Sequence, residues 1–316
     1  MADVFHRDRG RAWRLRQRSR ELWQRWCSEL EEEGWPVPRR QGLLLLAADP
    51  AELERQERLA AERQGGGIPL ELWNRSRLEP LQPALPARAL GGLHSPRDGQ
   101  LDPTAARAAL LGSAAAAGLE MRRERALRLE RGPGHGWEVW SESGRLQAEW
   151  VVLAAGLASA ELLRDSPALE GLAQDITLEP VLGQALELQA GEAEAAALAE
   201  HGSWPGAVSW RGMNLVPRPD RGRGHLWLGA TLEPGAQADI GQLERLRQLE
   251  GEAPPWLRQA RTLKQWQGCR CRPVGRPAPL QEAMAEGVLL LSGHYRNGVL
   301  LAAASAEWAA ERIAQG

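Results

Sequence analysis

The stretch that most constrains the fold lies at the C-terminal end. There an apolar run, GVLLLSG (287–293), passes through a polar turn, His294 to Gly298, into VLLAAASAEWAAERI (299–313). A short apolar run bounded by glycines reads as a buried strand, and the alanine-rich stretch after it has the composition and length of a helix. The same order recurs earlier, where EWVVLAAG (149–156) leads into SAELLRD (159–165). Strands that pass through glycine into helices belong to doubly wound α/β sheets, which bind nucleotides at such junctions. The chain is therefore expected to contain at least part of such a sheet.

The rest of the chain is mixed. A helix is expected from about residue 11 to 33, stopped by Gly34-Trp35-Pro36. Its Leu15, Leu22, Trp26 and Leu30 stand at helical spacing, so the arginine-rich start reads as an amphipathic surface helix. GLLLLA (42–47) reads as a strand, Asp49-Pro50 opens a helix that ends near Gly65–Gly67, and a loop rich in Pro and Gly is expected over about 80–99. A helix over 101–120 has Asp102 as its cap and Pro103 at its first position. EMRRERALRLER and GWEVWSESGRLQAEWVVLAAG read as strands. Between residues 178 and 232, VLGQALEL, AVSWRGMNLVPR and HLWLGATLEPG read as antiparallel strands, and a helix follows over 240–249. Helix–strand units that give way to an antiparallel block and then return predict an α/β (α+β) fold of two interleaved domains: residues 1–40, 96–178 and 272–316 in one, 41–95 and 179–271 in the other.

Composition narrows the function classes. The chain has 316 residues, ordinary hydrophobic content (43%) and a net charge of -2, so no bulk field favours nucleic acid or membrane. No apolar run approaches the roughly 18 residues of a membrane span. Three cysteines, Cys27, Cys269 and Cys271, fit a reducing compartment and hence a cytoplasmic location. The N-terminal segment lacks the apolar centre of a secretory signal. Lys264 is the single lysine and Phe5 the single phenylalanine beside 14 tryptophans, so tryptophan is expected to fill core positions.

Chemistry-bearing groups are few. The backbone amides of Asn297, Gly298 and Val299 are expected to be unpaired donors at a helix N-terminus, which attracts negative charge. Gly298 permits close backbone approach, and the Arg296 fork suits a carboxylate. The alternative is a helix start whose polar groups satisfy one another. Cys269-x-Cys271 has the wrong spacing for a metal site. Arg270, Arg272 and Arg276 are candidate anion-binding groups; their alternative is a solvated loop. His6, His94, His135, His201 and His225 are scattered and read as surface or structural, and no Ser-His-Asp or Cys-His set can be ordered.

With these residues in view the chain resembles the D-amino-acid oxidase superfamily of flavoproteins, and within it the glycine oxidases of thiazole (thiamine precursor) biosynthesis. SGHYRNGVLLAAASAEWAAERI matches that family's signature. LDPTAARAAL, EWVVLAAGLAS, EPVLGQALEL, NLVPRPDRGRGHLWLGATLEPG and WQGCR follow its order. The resemblance implies an FAD-binding Rossmann-type domain interleaved with an antiparallel-sheet substrate domain; the segments 1–40, 96–178 and 272–316 fall to the cofactor. It implies that His294, Tyr295, Arg296, Asn297, Gly298, Val299 and Leu300 wrap the flavin ring. Ala155 and Gly156 would end a cofactor-facing strand, and Ala126 would lie on the adenine side. Arg296 matches an arginine that contacts the substrate carboxylate. A second such arginine falls in GCRCRP, with Arg270 preferred and Arg272 as the other candidate. The implied reaction oxidises glycine or another small amine, with FAD as cofactor and a small amino acid and molecular oxygen as partners, and needs no catalytic acid or base side chain. Whether copies associate as a homo-oligomer stays open.

Three departures stand out. Asn214 replaces a tyrosine before LVPR, and Ala303 replaces a proline. The first hundred residues contain no GxGxxG, so a unit of roughly thirty residues that supplies the pyrophosphate cradle is not in this sequence. The expectation is therefore that the chain alone holds little FAD and has sheet edges prone to association. The alternative function is a catalytically inactive remnant or an amino-acid-binding module.

Overall fold

A computed structural model of the chain describes residues 1–134, 136–199 and 204–316. His135 and His201 lie outside the described residues. From the N-terminus, α1 (Arg11–Glu32), β1 (Arg39–Ala47) and α2 (Pro50–Gly65) lead to β2 (Glu71–Asn74), the single turn α3 (Arg75–Leu78) and β3 (Gly91–Leu101). α4 (Pro103–Ala116) precedes β4 (Ala126–Arg131), β5 (Trp137–Ser141), β6 (Gly144–Ala148) and β7 (Val151–Leu153), then α5 (Ala158–Arg164) and α6 (Glu170–Ala173). The middle holds β8 (Leu178–Gln189), α7 (Glu192–Ala199), β9 (Ala207–Trp210), β10 (Met213–Pro217), β11 (His225–Gly229) and β12 (Glu233–Pro234). Last come α8 (Ile240–Arg247), α9 (Pro255–Gln259), β13 (Arg261–Pro273), β14 (Leu280–Ala285), β15 (Val288–Ser292) and α10 (Gly298–Gln315).

The mixed α/β class is as expected. The largest sheet runs β12-β8-β11-β10-β9-β1-β3-β2, with β13 also paired to β8. Its pairings are antiparallel except β1 with β9. A second sheet, β14-β15-β7, carries both strand–turn–helix units, and β15 and β7 lie parallel as such units require. β4, β5 and β6 form a separate antiparallel meander.

Two sequence expectations are corrected. Residues 91–101 are not loop but a strand between β1 and β2. Their glycines mark close backbone approach: a Cβ on Gly99 would stand 2.3 Å from the Arg40 carbonyl oxygen, and one on Gly92 2.8 Å from that of Leu45. The segment around WQGCRCRP is not a solvated loop either. It belongs to the thirteen-residue β13, which pairs with β8 from Arg261 to Pro273.

The helical expectations at residues 11–33 and 101–120 rest on local chemistry, and both helices form. Leu22, Trp23, Cys27 and Leu30 of α1 are buried with Ala303 and Ala304 of α10 and Ala106 and Ala109 of α4. Each fully buried leucine of this kind contributes about 1.5–3 kcal/mol. The small alanines let the helices approach, and Ala303 fills its position at 0% exposure. Trp23 Nε1 donates to the Val299 carbonyl at 2.8 Å, which fixes α1 against the first turn of α10. Asp102 caps α4 through its Oδ1, which accepts from Thr104 N at 2.7 Å and Ala105 N at 3.0 Å. Trp137 and Trp210 are fully buried, as the shortage of phenylalanine suggested. Among the described residues no helix is long and apolar enough to cross a membrane.

Candidate active site

The turn between β15 and α10 is shaped by backbone constraints. Gly293 has φ 65°, and a Cβ there would press on Pro273 and Leu280 at 3.2–3.3 Å. Tyr295 has φ 51°, a conformation uncommon for a residue with a side chain. Tyr295–Asn297 make one 3-10 turn, and α10 begins at Gly298 with no side chain capping it. One expected donor is used internally: Asn297 N donates to the His294 carbonyl at 3.1 Å. The helix end beyond it keeps the positive partial charge of an uncapped N-terminus.

That helix end forms one wall of a groove of 890 Å³. Tyr295, Arg296, Asn297, Gly298, Val299 and Leu300 line this wall. Asn214, Val216 and Trp227 on the sheet lie across the groove, with Trp23 and Cys27 of α1 beside them. Arg20, Arg39, Arg40, Arg97, Arg218 and Arg296 line the groove; Arg20 and Arg97 pair with Asp3, Arg39 with Glu31 and Arg218 with Asp102, whereas Arg296 forms no salt bridge among the described residues. A Cβ built on Gly298 would meet only the His294 Cβ, at 3.9 Å. Open space at an uncapped helix end, facing a sheet, fits the flat ring of a flavin and its carbonyl edge.

The two candidate arginines of GCRCRP part company. Arg272 is exposed and pairs with Glu179 at 2.6 Å. Arg270 turns across β8, where its Nη1 donates to the carbonyls of Leu182 at 3.2 Å and Thr231 at 3.1 Å. Burial first, and then the charge of Arg296, lower its pKa, while Tyr295 and Glu233 act the other way. Arg270 is thus held within electrostatic reach of Arg296, although it does not line the groove itself. Among the described residues no carboxylate forms a salt bridge with either arginine. Two guanidinium groups within electrostatic reach of each other, neither in a salt bridge among the described residues, offer a place for an external anion.

Asn214 joins this end of the groove. Its Nδ2 donates to the Gly212 carbonyl at 3.3 Å. Gly212 has φ 81°, and a Cβ there would stand 3.7 Å from Arg296 Nη2. The other expected residues fall elsewhere. His294 turns toward α10, with Nε2 2.8 Å from Ser305 Oγ, and burial followed by the charge of Arg11 holds its pKa below the ordinary value. Gly156 follows the end of β7, and its carbonyl accepts from Ser292 Oγ at 2.9 Å. Ala155 is exposed beside it, and Ala126 is an exposed residue of the separate meander, opposite Ser141. None of these four lines the groove. Arg276 pairs with Glu282 at 2.6 Å.

Sequence reading missed the support behind Arg270. Gln184, Thr231 and Glu233 form a buried network in which Gln184 Nε2 donates to Glu233 Oε1 at 3.0 Å, and the backbone of exposed Asp239 closes it, its N donating to Glu233 Oε2 at 2.7 Å. Buried polar groups of this kind need partners, and the acid in GATLEPG was the one sequence signal for them. Trp23 and Cys27 also went unassigned, because the groove they line exists only once α1 rests on α10.

Comparison with known proteins gives the family. Glycine oxidase of Pseudomonas putida is 34% identical over 173 residues, 54% of this chain and 42% of that protein. Glycine oxidase of Geobacillus kaustophilus is 27% identical over 267 residues, 82% of this chain and 66% of that protein. The match therefore spans less than two thirds of either relative. The crystal structure of glycine oxidase from Geobacillus kaustophilus superposes with a TM-score of 0.82 at 25% identity, covering 98% of this chain and 81% of that one. Residues 3–312 match the family model of FAD dependent oxidoreductases (DAO). That match runs over almost the whole chain, and the protein belongs to the FAD dependent oxidoreductase family.

Proposed function

We propose that this protein, with FAD bound, oxidatively deaminates glycine or another small amine or D-amino acid. The product is the imine, which water converts to glyoxylate (or the matching 2-oxo acid) and ammonia. The chemistry that bound FAD would supply is acceptance of the hydride from the substrate α-carbon, with molecular oxygen taking up the two electrons to give hydrogen peroxide. The observation that carries the reading is the Arg270–Arg296 pair beside an uncapped helix end, with no salt-bridged acid among the described residues.

The chain's own part is positioning. Arg296 and Arg270 hold the substrate carboxylate, and Asn214 offers an amide beside them. Gly298, Val299 and Leu300 at the helix end would hold the flavin, and the two arginines would orient the substrate α-carbon toward it. No side chain is assigned an acid or base role. Residues 1–40, 96–178 and 272–316 form the cofactor side in this reading, and 41–95 and 179–271 the substrate side. Likeness to the glycine oxidases supports a place in making the thiazole precursor of thiamine, and the three free thiols support a cytoplasmic one.

The test is an aerobic assay of FAD-loaded protein with glycine, sarcosine and D-alanine, following peroxide and the released nitrogen product, ammonia from glycine or D-alanine and methylamine from sarcosine. Release of peroxide with the matching product from at least one of the three is expected. Amine binding without peroxide would replace the enzyme with a binding module.

A further inference from the structure

Gly183 lies within β8, opposite Gly268 of β13, where its backbone is not left-handed and any residue is allowed. Its neighbours on the same face, Val181 and Ala185, are buried and apolar. An apolar side chain is what a buried strand position normally carries. A side chain here would displace Arg270. A Cβ on Gly183 would stand 2.3 Å from Nη1 and from Nη2 of Arg270 and 2.5 Å from its Cζ, inside the guanidinium itself.

We propose that Gly183 is a positioning residue for substrate: its missing side chain lets the Arg270 guanidinium lie across β8 and present a free fork to the substrate carboxylate. The proposal rests on the reading of Arg270 given under Proposed function. Nη1 is held by the Leu182 and Thr231 carbonyls, on either side of the bare position. Gln184 N donates to Thr231 Oγ1 at 2.7 Å, which ties the Thr231 segment to β8. Glu233 is nearby, yet its oxygens are taken by Gln184, Asp239 and Thr231 and form no salt bridge with Arg270. Nε and Nη2 of Arg270 have no hydrogen-bond partner among the described residues. They form the side-on pair of N–H groups that matches a carboxylate in two-point fashion. A methyl group at position 183 lifts the guanidinium off the strand and breaks this alignment.

The experiment titrates glycolate, a small carboxylate without an amine, into the full chain and follows the Arg270 Nε–Hε resonance, assigned by its loss in Arg270→Lys. This readout needs no FAD. The wild-type resonance is expected to shift, and Gly183→Ala to bind glycolate about tenfold to a hundredfold more weakly, the range for a charge-assisted hydrogen bond. In FAD-loaded protein the same variant is expected to raise KM for glycine with kcat and FAD affinity little changed. A folded Gly183→Ala chain that binds glycolate like the wild type overturns the proposal and leaves the Arg270 reading intact. A wild-type resonance that does not shift, or binding unaffected by Arg270→Lys, overturns both. If Gly183→Ala does not fold, the double variant Gly183→Ala/Arg270→Ala decides: restored folding shows that the guanidinium occupies the space, and continued unfolding overturns the idea.

Discussion

Arg218 and Asp102 form an ion pair that joins the end of β10 to the start of α4, with both side chains under 5% exposed. Asp102 serves two ends, capping α4 with Oδ1 and meeting Arg218 and Arg221 with Oδ2. Arg218 also meets Asp220 at 2.7 Å and stacks over Trp227, 3.8 Å from the ring centroid. Removing Asp102 leaves Arg218 with Asp220 as its remaining carboxylate, so the buried charge loses only part of its compensation. Asp102→Ala is therefore expected to cost more in urea unfolding than the ~1 kcal/mol of a cap alone and less than the about 3–5 kcal/mol of a buried charge left without any partner.

The same pair sets an acid limit. Burial alone would raise the Asp102 pKa, but amide bonds from Ala105 and Thr104 and the Arg218 charge hold it below 3.8. A depressed carboxylate stabilises the fold above its unfolded pKa and loses that contribution as pH falls through the folded value. Wild-type stability is expected to fall more steeply than that of Asp102→Asn as pH drops below about 4. Parallel urea titrations across that range measure the difference.

Arg296→Ala removes a charged partner of the proposed carboxylate. KM for glycine is expected to rise about tenfold to a hundredfold in FAD-loaded protein, with a smaller change in kcat. An unchanged KM takes Arg296 out of the substrate site.

Arg272→Ala is the matched control, because among the described residues its fork bonds to Glu179 alone, at the surface. KM and the urea midpoint are expected to stay at wild-type values. A rise in KM like that of Arg296→Ala would exchange the roles of Arg270 and Arg272.

His294 offers a test near neutral pH. Burial, and then Arg11, hold its folded pKa below 6.5, so the unfolded chain takes up the proton first. Stability from the neutral imidazole is complete above 6.5 and declines as pH falls from there toward the folded value. His294→Gln keeps a polar partner for Ser305 and should flatten the stability profile as pH falls below about 6.5. An identical slope in the variant would place the proton uptake on His6 or His94, which are also held below 6.5.

Much of the site was legible because its parts are local. The strand–turn–helix at 287–313, the cap at Asp102 and the proline beside it depend on neighbours a few residues away, and short-range propensity decides them. Gly91, Gly92 and Gly99 misled for the opposite reason. Their composition looks like loop, but their use is to let β3 lie close to β1 and β2, partners remote in sequence.

By itself, then, the sequence determined the helix starts, the paired βα units and the signature that marks the family. Tertiary structure alone decided which arginine of GCRCRP stands near Arg296. Residues 270 and 272 share one face of β13 and have the same chemistry. What separates them is the register against β8, which sets Arg272 opposite Glu179 and lays Arg270 over the bare backbone of Gly183. That register comes from the pairing of β13 with β8, two segments distant in sequence, which no local propensity encodes.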